Sequence, residues 1–285
     1  MQAIGFETVP LEEILDYITK HNQNEEMSKT ISTAHMTELL FSDRYVVKKL
    51  IPLEFVFYCT IKQPKNDAQK LLGSFLPHVY GMVNDAENEQ YFIAMENICP
   101  SKTCSQLEIK VGAYNFLPTH GTPKQESKLR SGFLLASIDD KYRVCMYSRR
   151  DTQGQLGEQK KIEKKDGIKQ RVTPNSLILL LKPKTPEEEA KPELLKKAIE
   201  FYEASLKQLH SIFKNQLKDL GYWITAASLV FTIDYARESY DLKFLDFGCS
   251  IPCTNTDIWP DEQAEAFEAI LQDLAAVKSK LLPTV

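Results

Sequence analysis

The chain has 285 residues, 43% apolar and 26% charged, and its 35 basic and 39 acidic side chains leave a net charge of −4. This length and composition support a full core, expected as two lobes of one unit, and the acidic surplus argues against a broad nucleic-acid surface while allowing a local basic pocket. No stretch approaches the roughly 20 apolar residues of a membrane span, and the six cysteines include no CxxC pair of the kind zinc sites use.

In chain order, Met1 to Thr8 lacks a basic flank and an apolar run, so no signal peptide is expected. With free thiols, this predicts an intracellular protein of the cytoplasm and/or nucleus. Leu11 to Ile18 has helical spacing, and His21 to Lys29 reads as a loop. Arg44 to Leu50 is a β-like run, and Pro52 and Glu54 suit the first turn of a helix that continues through Tyr58. Gln90 to Met95, Gln106 to Val111 and Arg143 to Tyr147 are further predicted strands. A lysine-rich stretch from Gly154 to Arg171 predicts an exposed loop, set near 150–172. Leu195, Ile199, Tyr202, Leu206, Leu209, Phe213, Leu217 and Leu220 form the strongest helical stripe, with Pro192 near its start. Thr225 to Ile233 and Leu242 to Asp246 read as strands joined by a turn at Arg237 to Asp241. A last helix starts near Trp259-Pro260 and buries Phe267, Leu271, Leu274 and Val277. Strands first, then helix, strand pair and helix, make an α+β layout rather than a regular βαβ alternation.

Chemistry is concentrated in two short segments. Glu108 and Lys110 lie two apart on a predicted strand, hence on one face, and Asp246 ends another strand before Phe247-Gly248. A phosphoryl-transfer site needs positive charge on the transferred group and a carboxylate for a hard divalent cation, and these residues supply both. Lys48, on an earlier strand, can hold nucleotide phosphates from the other side. The chain has no His-Arg-Asp loop, Ala-Pro-Glu or G-x-G-x-x-G, which argues against a conventional protein kinase. It also lacks the Walker motif and the G-x-S-x-G elbow.

Eight segments, in order, resemble the inositol polyphosphate kinases, a family that includes the inositol trisphosphate kinases, multikinases and hexakisphosphate kinases. They are Thr33-Ala34-His35, the run Val47 to Tyr58 with its Glu-x-x-Phe-Tyr helix, Phe75 to Gly81, Phe92 to Ile98, Cys104 to Gly112, Arg143 to Tyr147, Ala227 to Val230, and Leu245-Asp246-Phe247. The resemblance implies a two-lobed fold of the protein-kinase and SAICAR-synthase type with ATP in the interlobe cleft. It places residues 1–98 in an N-terminal lobe and 99–285 in a C-terminal lobe. It further implies that Lys48 contacts ATP phosphates, that the backbone at Glu96 and Ile98 meets adenine, and that Glu108 meets the ribose. Lys110 would contact the transferred phosphate and an inositol phosphate substrate, Asp246 would bind Mg2+, and Ser228 would stand near the metal.

The chain departs from the family pattern at identifiable places. Cys104 stands where the signature has proline, Glu108 where it has aspartate, and Gly248-Cys249 where it commonly has Ala-His. After Gly112 the run Ala113 to Leu117 is largely apolar. Three readings follow: an ATP-dependent inositol phosphate kinase, a catalytically impaired pseudokinase that binds a nucleotide or an inositol phosphate, or a lipid or other small-molecule kinase that shares the lobes. Lys102, Lys124, Lys128, Arg130 and Arg143 are candidate phosphate contacts, each weighed against the simpler reading of a solvated surface charge.

Overall fold

The computed structural model describes residues 7–8, 39–41, 45–49, 52–85, 90–111, 142–161, 176–224, 227–248, 250–252 and 262–282. Its first sheet contains β1 (Glu7–Thr8), β2 (Leu39–Phe41), β3 (Tyr45–Lys49), β4 (Val79–Asp85) and β5 (Gln90–Glu96), in the order β1-β4-β5-β3-β2. Only β1 and β4 run parallel there. The second sheet is antiparallel throughout, in the order β11-β10-β6-β7-β8. Its strands are β6 (Ser105–Val111), β7 (Tyr142–Arg150), β8 (Leu156–Lys161), β10 (Ser228–Asp234) and β11 (Ser239–Leu245). A short pair, β9 (Tyr222–Trp223) and β12 (Ile251–Pro252), completes the strands described. This is the two-lobed α+β arrangement expected from the order of elements.

The helices are α1 (Pro52–Lys62), α2 (Asp67–Ser74), α3 (Ser176–Leu181), α4 (Pro186–Glu189), α5 (Pro192–Asn215), α6 (Leu217–Leu220) and α7 (Glu262–Leu281). Local chemistry sets their ends. Proline opens α1, where a missing N–H is harmless. Asn66 caps α2 by accepting the Gln69 N–H at 2.9 Å. Gly221 closes α6 with φ of 70°, a left-handed conformation that glycine adopts without a Cβ clash. The predicted apolar stripe from Leu195 to Leu220 is present but is shared between two helices, because the backbone breaks at Gln216.

One face of the second sheet supplies the core. Leu107, Ile109 and Val111 on β6, and Leu229, Phe231 and Ile233 on β10, are buried in the same cluster as Ile199, Tyr202, Leu206 and Phe213 of α5 and Phe267, Leu274 and Val277 of α7. The Tyr202 hydroxyl donates to the Thr232 carbonyl at 2.5 Å, tying α5 to β10. Helices α1 and α2 follow β3 in sequence yet rest on later elements. Asn66 and Gln69 donate to the Asp219 and Leu220 carbonyls, and Thr60 shares a 2.9 Å hydrogen bond with the Tyr222 hydroxyl. A main-chain bond from Phe244 N to the Phe75 carbonyl, 2.8 Å, adds to this seam.

The segment 156–161, expected within an exposed loop, is instead the edge strand β8, paired with β7 across a turn that Asp151 closes by accepting from Gln153 N and Gln155 N. A Lys- and Gln-rich edge strand carries none of the apolar alternation that identifies a strand in sequence. The strand pair β10–β11 turns earlier than expected, at 235–238, because Asp234 accepts from Ala236 N and Arg237 N. The expectations for residues 11–29, 33–35, 112–117, 162–171 and 253–261, and for Lys124, Lys128, Arg130 and Cys249, fall outside the described residues.

Candidate active site

Period-two alternation on β6 sends Leu107, Ile109 and Val111 into the helical core and turns Glu108 and Lys110, both half-buried, to the opposite face. Strand register then builds a polar row. Arg143, Lys110, Ser228 and Leu245 are consecutive partners across β7, β6, β10 and β11, and Met146, Glu108, Val230 and Lys243 form the adjacent row. Ser228 Oγ, fully buried, donates to Glu108 Oε1 at 2.7 Å along the diagonal between the rows.

Asp246 follows Leu245, and continued strand geometry would send its side chain toward the core. The backbone instead takes φ of 69° there, one of two non-glycine residues in the left-handed region among those described. This re-aims the carboxylate over the polar face, where it forms an ion pair with Lys110. The Asp246 side chain remains 44% exposed. Burial would lower the Lys110 pKa, but the negative charges of Asp246 and then Glu108 outweigh it and raise the ammonium above its ordinary value.

The next residue, Phe247, enters the core and stacks on Phe57 of α1 with ring centroids 4.1 Å apart. Its N–H reaches Glu54 Oε1 at 3.4 Å. That same oxygen forms a buried ion pair with Lys48 of β3. The helix therefore connects two charge pairs, Lys48–Glu54 and Lys110–Asp246, through one backbone step. Tyr58, one turn beyond Glu54, marks the neighbourhood they share. Burial, then the charges of Glu54 and Asp246, push its phenol well above the usual tyrosine range, so it stays neutral. Neither the Tyr58 hydroxyl nor Glu54 Oε2 has a hydrogen-bond partner among the described residues.

At the other end of the polar face, Glu96 Oε2 accepts from His78 N at 3.0 Å and lies 3.9 Å from the Lys243 ammonium. The Glu96 N–H is taken by the His78 carbonyl at 2.8 Å, so its backbone donor is already engaged. Ile98 is half-buried in the connection that leads to β6.

The structure thus brings together Lys110, Asp246, Glu108 and Ser228 directly, joins Lys48 to them through Glu54, and links Glu96 to the next row through Lys243. Of the proposed phosphate contacts, Arg143 is half-buried beside Lys110 in register, and Lys102 is exposed. Sequence reading did not assign Glu54 and Tyr58 to the site. Their signal was present in the Glu-x-x-Phe-Tyr helix, which puts both on one helical face.

The oxygen donors present fit a hard cation, with the part-exposed Asp246 carboxylate after β11, the Ser228 hydroxyl on the neighbouring β10 and the Glu108 carboxylate one strand further on β6. Among the described residues no three His, Cys, Asp or Glu side chains form a preformed cage.

No protein-family profile matches the chain, and no curated protein matches it in sequence. Solved structures do. The inositol phosphate multikinase Ipk2 of S. cerevisiae, in complex with ADP and Mn2+, superposes with a TM-score of 0.59 at 14% identity, covering 82% of this chain and 98% of that one. A second inositol phosphate multikinase structure gives 0.56 at 14% identity, covering 79% of this chain and 99% of the other. The chain has the two-lobed inositol polyphosphate kinase-like fold.

Proposed function

We propose that this protein is an ATP-dependent kinase that transfers the γ-phosphoryl group of ATP to a hydroxyl or phosphate of an inositol phosphate. The observation that carries the reading is the meeting of Lys110 and Asp246 on one polar face, made possible by the left-handed turn at Asp246. We divide the chain into lobes at 98/99, with the nucleotide between them. Lys48, held by Glu54, grips the nucleotide phosphates; the backbone at Glu96 and Ile98 meets adenine, Glu96 through its carbonyl; Glu108 meets the ribose. Asp246 and Ser228 hold Mg2+, which when bound neutralises phosphate charge. Lys110, kept protonated by its carboxylate neighbours, then lies ready to stabilise charge on the transferred phosphoryl group. Purified protein, γ-labelled ATP, Mg2+ and a panel of inositol phosphates test this reading. Transfer to at least one acceptor is expected, and no transfer to any would overturn it.

A second reading, a pseudokinase that binds a nucleotide or an inositol phosphate, is favoured by one observation. Glu108 replaces the shorter aspartate of the family pattern and is already engaged by Ser228. Mg·ATP calorimetry separates the two: binding without transfer supports the pseudokinase, and absence of both removes each reading.

A further inference from the structure

The connection between the two sheets carries a pair of thiols that the phosphoryl-transfer site does not use. Cys99 directly follows Ile98, and Cys104 directly precedes β6, the strand bearing Glu108 and Lys110. The five-residue step between them is folded back on itself. Cys104 N donates to the Ser101 carbonyl at 3.1 Å, Thr103 N to Ser101 Oγ at 3.2 Å, and Cys99 N to Asn97 Oδ1 at 3.0 Å. The turn is anchored outside itself as well, since the Thr103 hydroxyl donates to Asp234 at 2.8 Å. As a result the Cys99 thiol donates to the Cys104 carbonyl oxygen at 3.5 Å while the Cys104 thiol donates to the Ser105 carbonyl at 3.7 Å, which sets the two cysteines side by side. Cys99 is half-buried and Cys104 is buried, so a small reagent meets Cys99 first.

We propose that Cys99 and Cys104 are an oxidisable dithiol that closes to a disulfide across the connection between the sheets, taking as its reagent a small-molecule disulfide. The Cys99 thiolate attacks one sulfur of the reagent, forming a mixed disulfide and releasing one thiolate. Cys104, giving up its proton, then attacks the Cys99 sulfur, forming the Cys99–Cys104 bond and releasing the second thiol. Both protein sulfurs are oxidised and the reagent is reduced to two thiols. The order of attack follows from the site. The closeness of Cys99, its own burial and the charges of Cys99 and Asp234 all hold Cys104 protonated. The Cys99 contributions vanish once Cys99 is capped.

The bond takes up slack in residues 100–103, between the backbone placed against adenine and the head of β6. This consequence rests on the proposed kinase reading, whereas the dithiol itself does not. The test uses the full chain, reduced and then treated with oxidised glutathione. Trypsin cleaves after Lys70, Lys102 and Lys110, so peptides 71–102 and 103–110 each hold one cysteine, Cys99 and Cys104. The expected result is a linked pair of these peptides, lost on adding dithiothreitol, with Cys104→Ser stopping at a glutathione adduct on Cys99. Stable glutathione adducts without the linked pair in the unmutated chain, or Cys99 linked to a different cysteine, would overturn the dithiol. Calorimetry with Mn·ADP then reads the consequence, with weakening of about tenfold expected on oxidation, within the usual range of coupling between sites. Equal affinities in the two forms refute the gating. If the reduced protein fails to bind, the kinase and nucleotide-binding readings fail, and the linked peptide still decides the dithiol.

Discussion

The Lys48–Glu54 pair offers a direct test of how the site is held together. Its side chains are only 8% and 1% exposed, so it belongs to the buried class of ion pairs rather than the solvated one. Lys48→Met leaves the Glu54 carboxylate buried without its cation, and Glu54→Gln leaves the ammonium buried without its anion. Each is expected to lower stability by about 3–5 kcal/mol. The double variant buries no unpaired charge, and its glutamine can still accept the 3.4 Å bond from Phe247 N, so it should lose no more than about 2 kcal/mol. The two singles together therefore exceed the double by at least about 4 kcal/mol in a double-mutant cycle. Urea unfolding of the four proteins, followed by fluorescence and far-UV circular dichroism together, provides the energies, with equal m-values required for the comparison. An interaction energy below about 1 kcal/mol, the range of solvated pairs, would refute a buried pair that braces α1 against Asp246.

Lys110→Ala and Asp246→Asn should each reduce turnover at least about a hundredfold, roughly 2.7 kcal/mol of barrier, in the transfer assay; near-normal rates in either reject its role. Asp246→Gly and Asp246→Ala both remove the carboxylate but differ at φ of 69°, so thermal unfolding should find the glycine variant more stable by about 1 kcal/mol. Equal melting would show that no strain resides there. Ser228→Ala removes a 2.7 Å bond to an ionised acceptor and should cost about 1.5–3 kcal/mol in urea, an effect absent if solvent replaces the hydroxyl. Between α5 and α7, the hydrogen bonds from Lys207 and Lys278 hold Glu203 below its ordinary value of 4.5. Its stabilisation is thus complete above that pH and is lost as pH falls through the folded-state value. The Lys278→Ala protein should accordingly be less stable than the parent at pH 7, by less than about 1 kcal/mol, and converge with it in acid. A gap that persists unchanged at low pH would place the effect elsewhere.

What could be read from the sequence was whatever repeats locally. The α5 stripe and the alternation of β6 are short-range patterns, and a proline at the head of α1 needs no tertiary knowledge. Helix α3 was missed because Leu177 to Leu181 is a continuous apolar run with no period to distinguish helix from strand, and β8 because its pairing with β7, rather than its composition, makes it a strand. Within the candidate site, motif order had already singled out Lys48, Glu108, Lys110, Ser228 and Asp246, the residues that the structure groups or links. Their connections were not. Ser228 meets Glu108 across 120 positions, and the left-handed turn that re-aims Asp246 falls on a residue whose type does not demand it.

The core braces this polar face through α1. Glu54 Oε1 is shared between the Lys48 ammonium and the Phe247 N–H, while the Phe247 ring stacks on Phe57 from the same helix. The backbone that strains at Asp246 is thereby held on its far side by both a polar and an apolar contact to α1. A strained carboxylate can be maintained only where the surrounding packing over-determines it, and here the core supplies that constraint directly. Cys104 takes no part in this brace, since its thiol donates to the Ser105 carbonyl. Change at Glu54, Phe57 or Phe247 reaches both charge pairs at once. The architecture of this face therefore depends on three residues, Glu54, Phe57 and Phe247, two of them in α1.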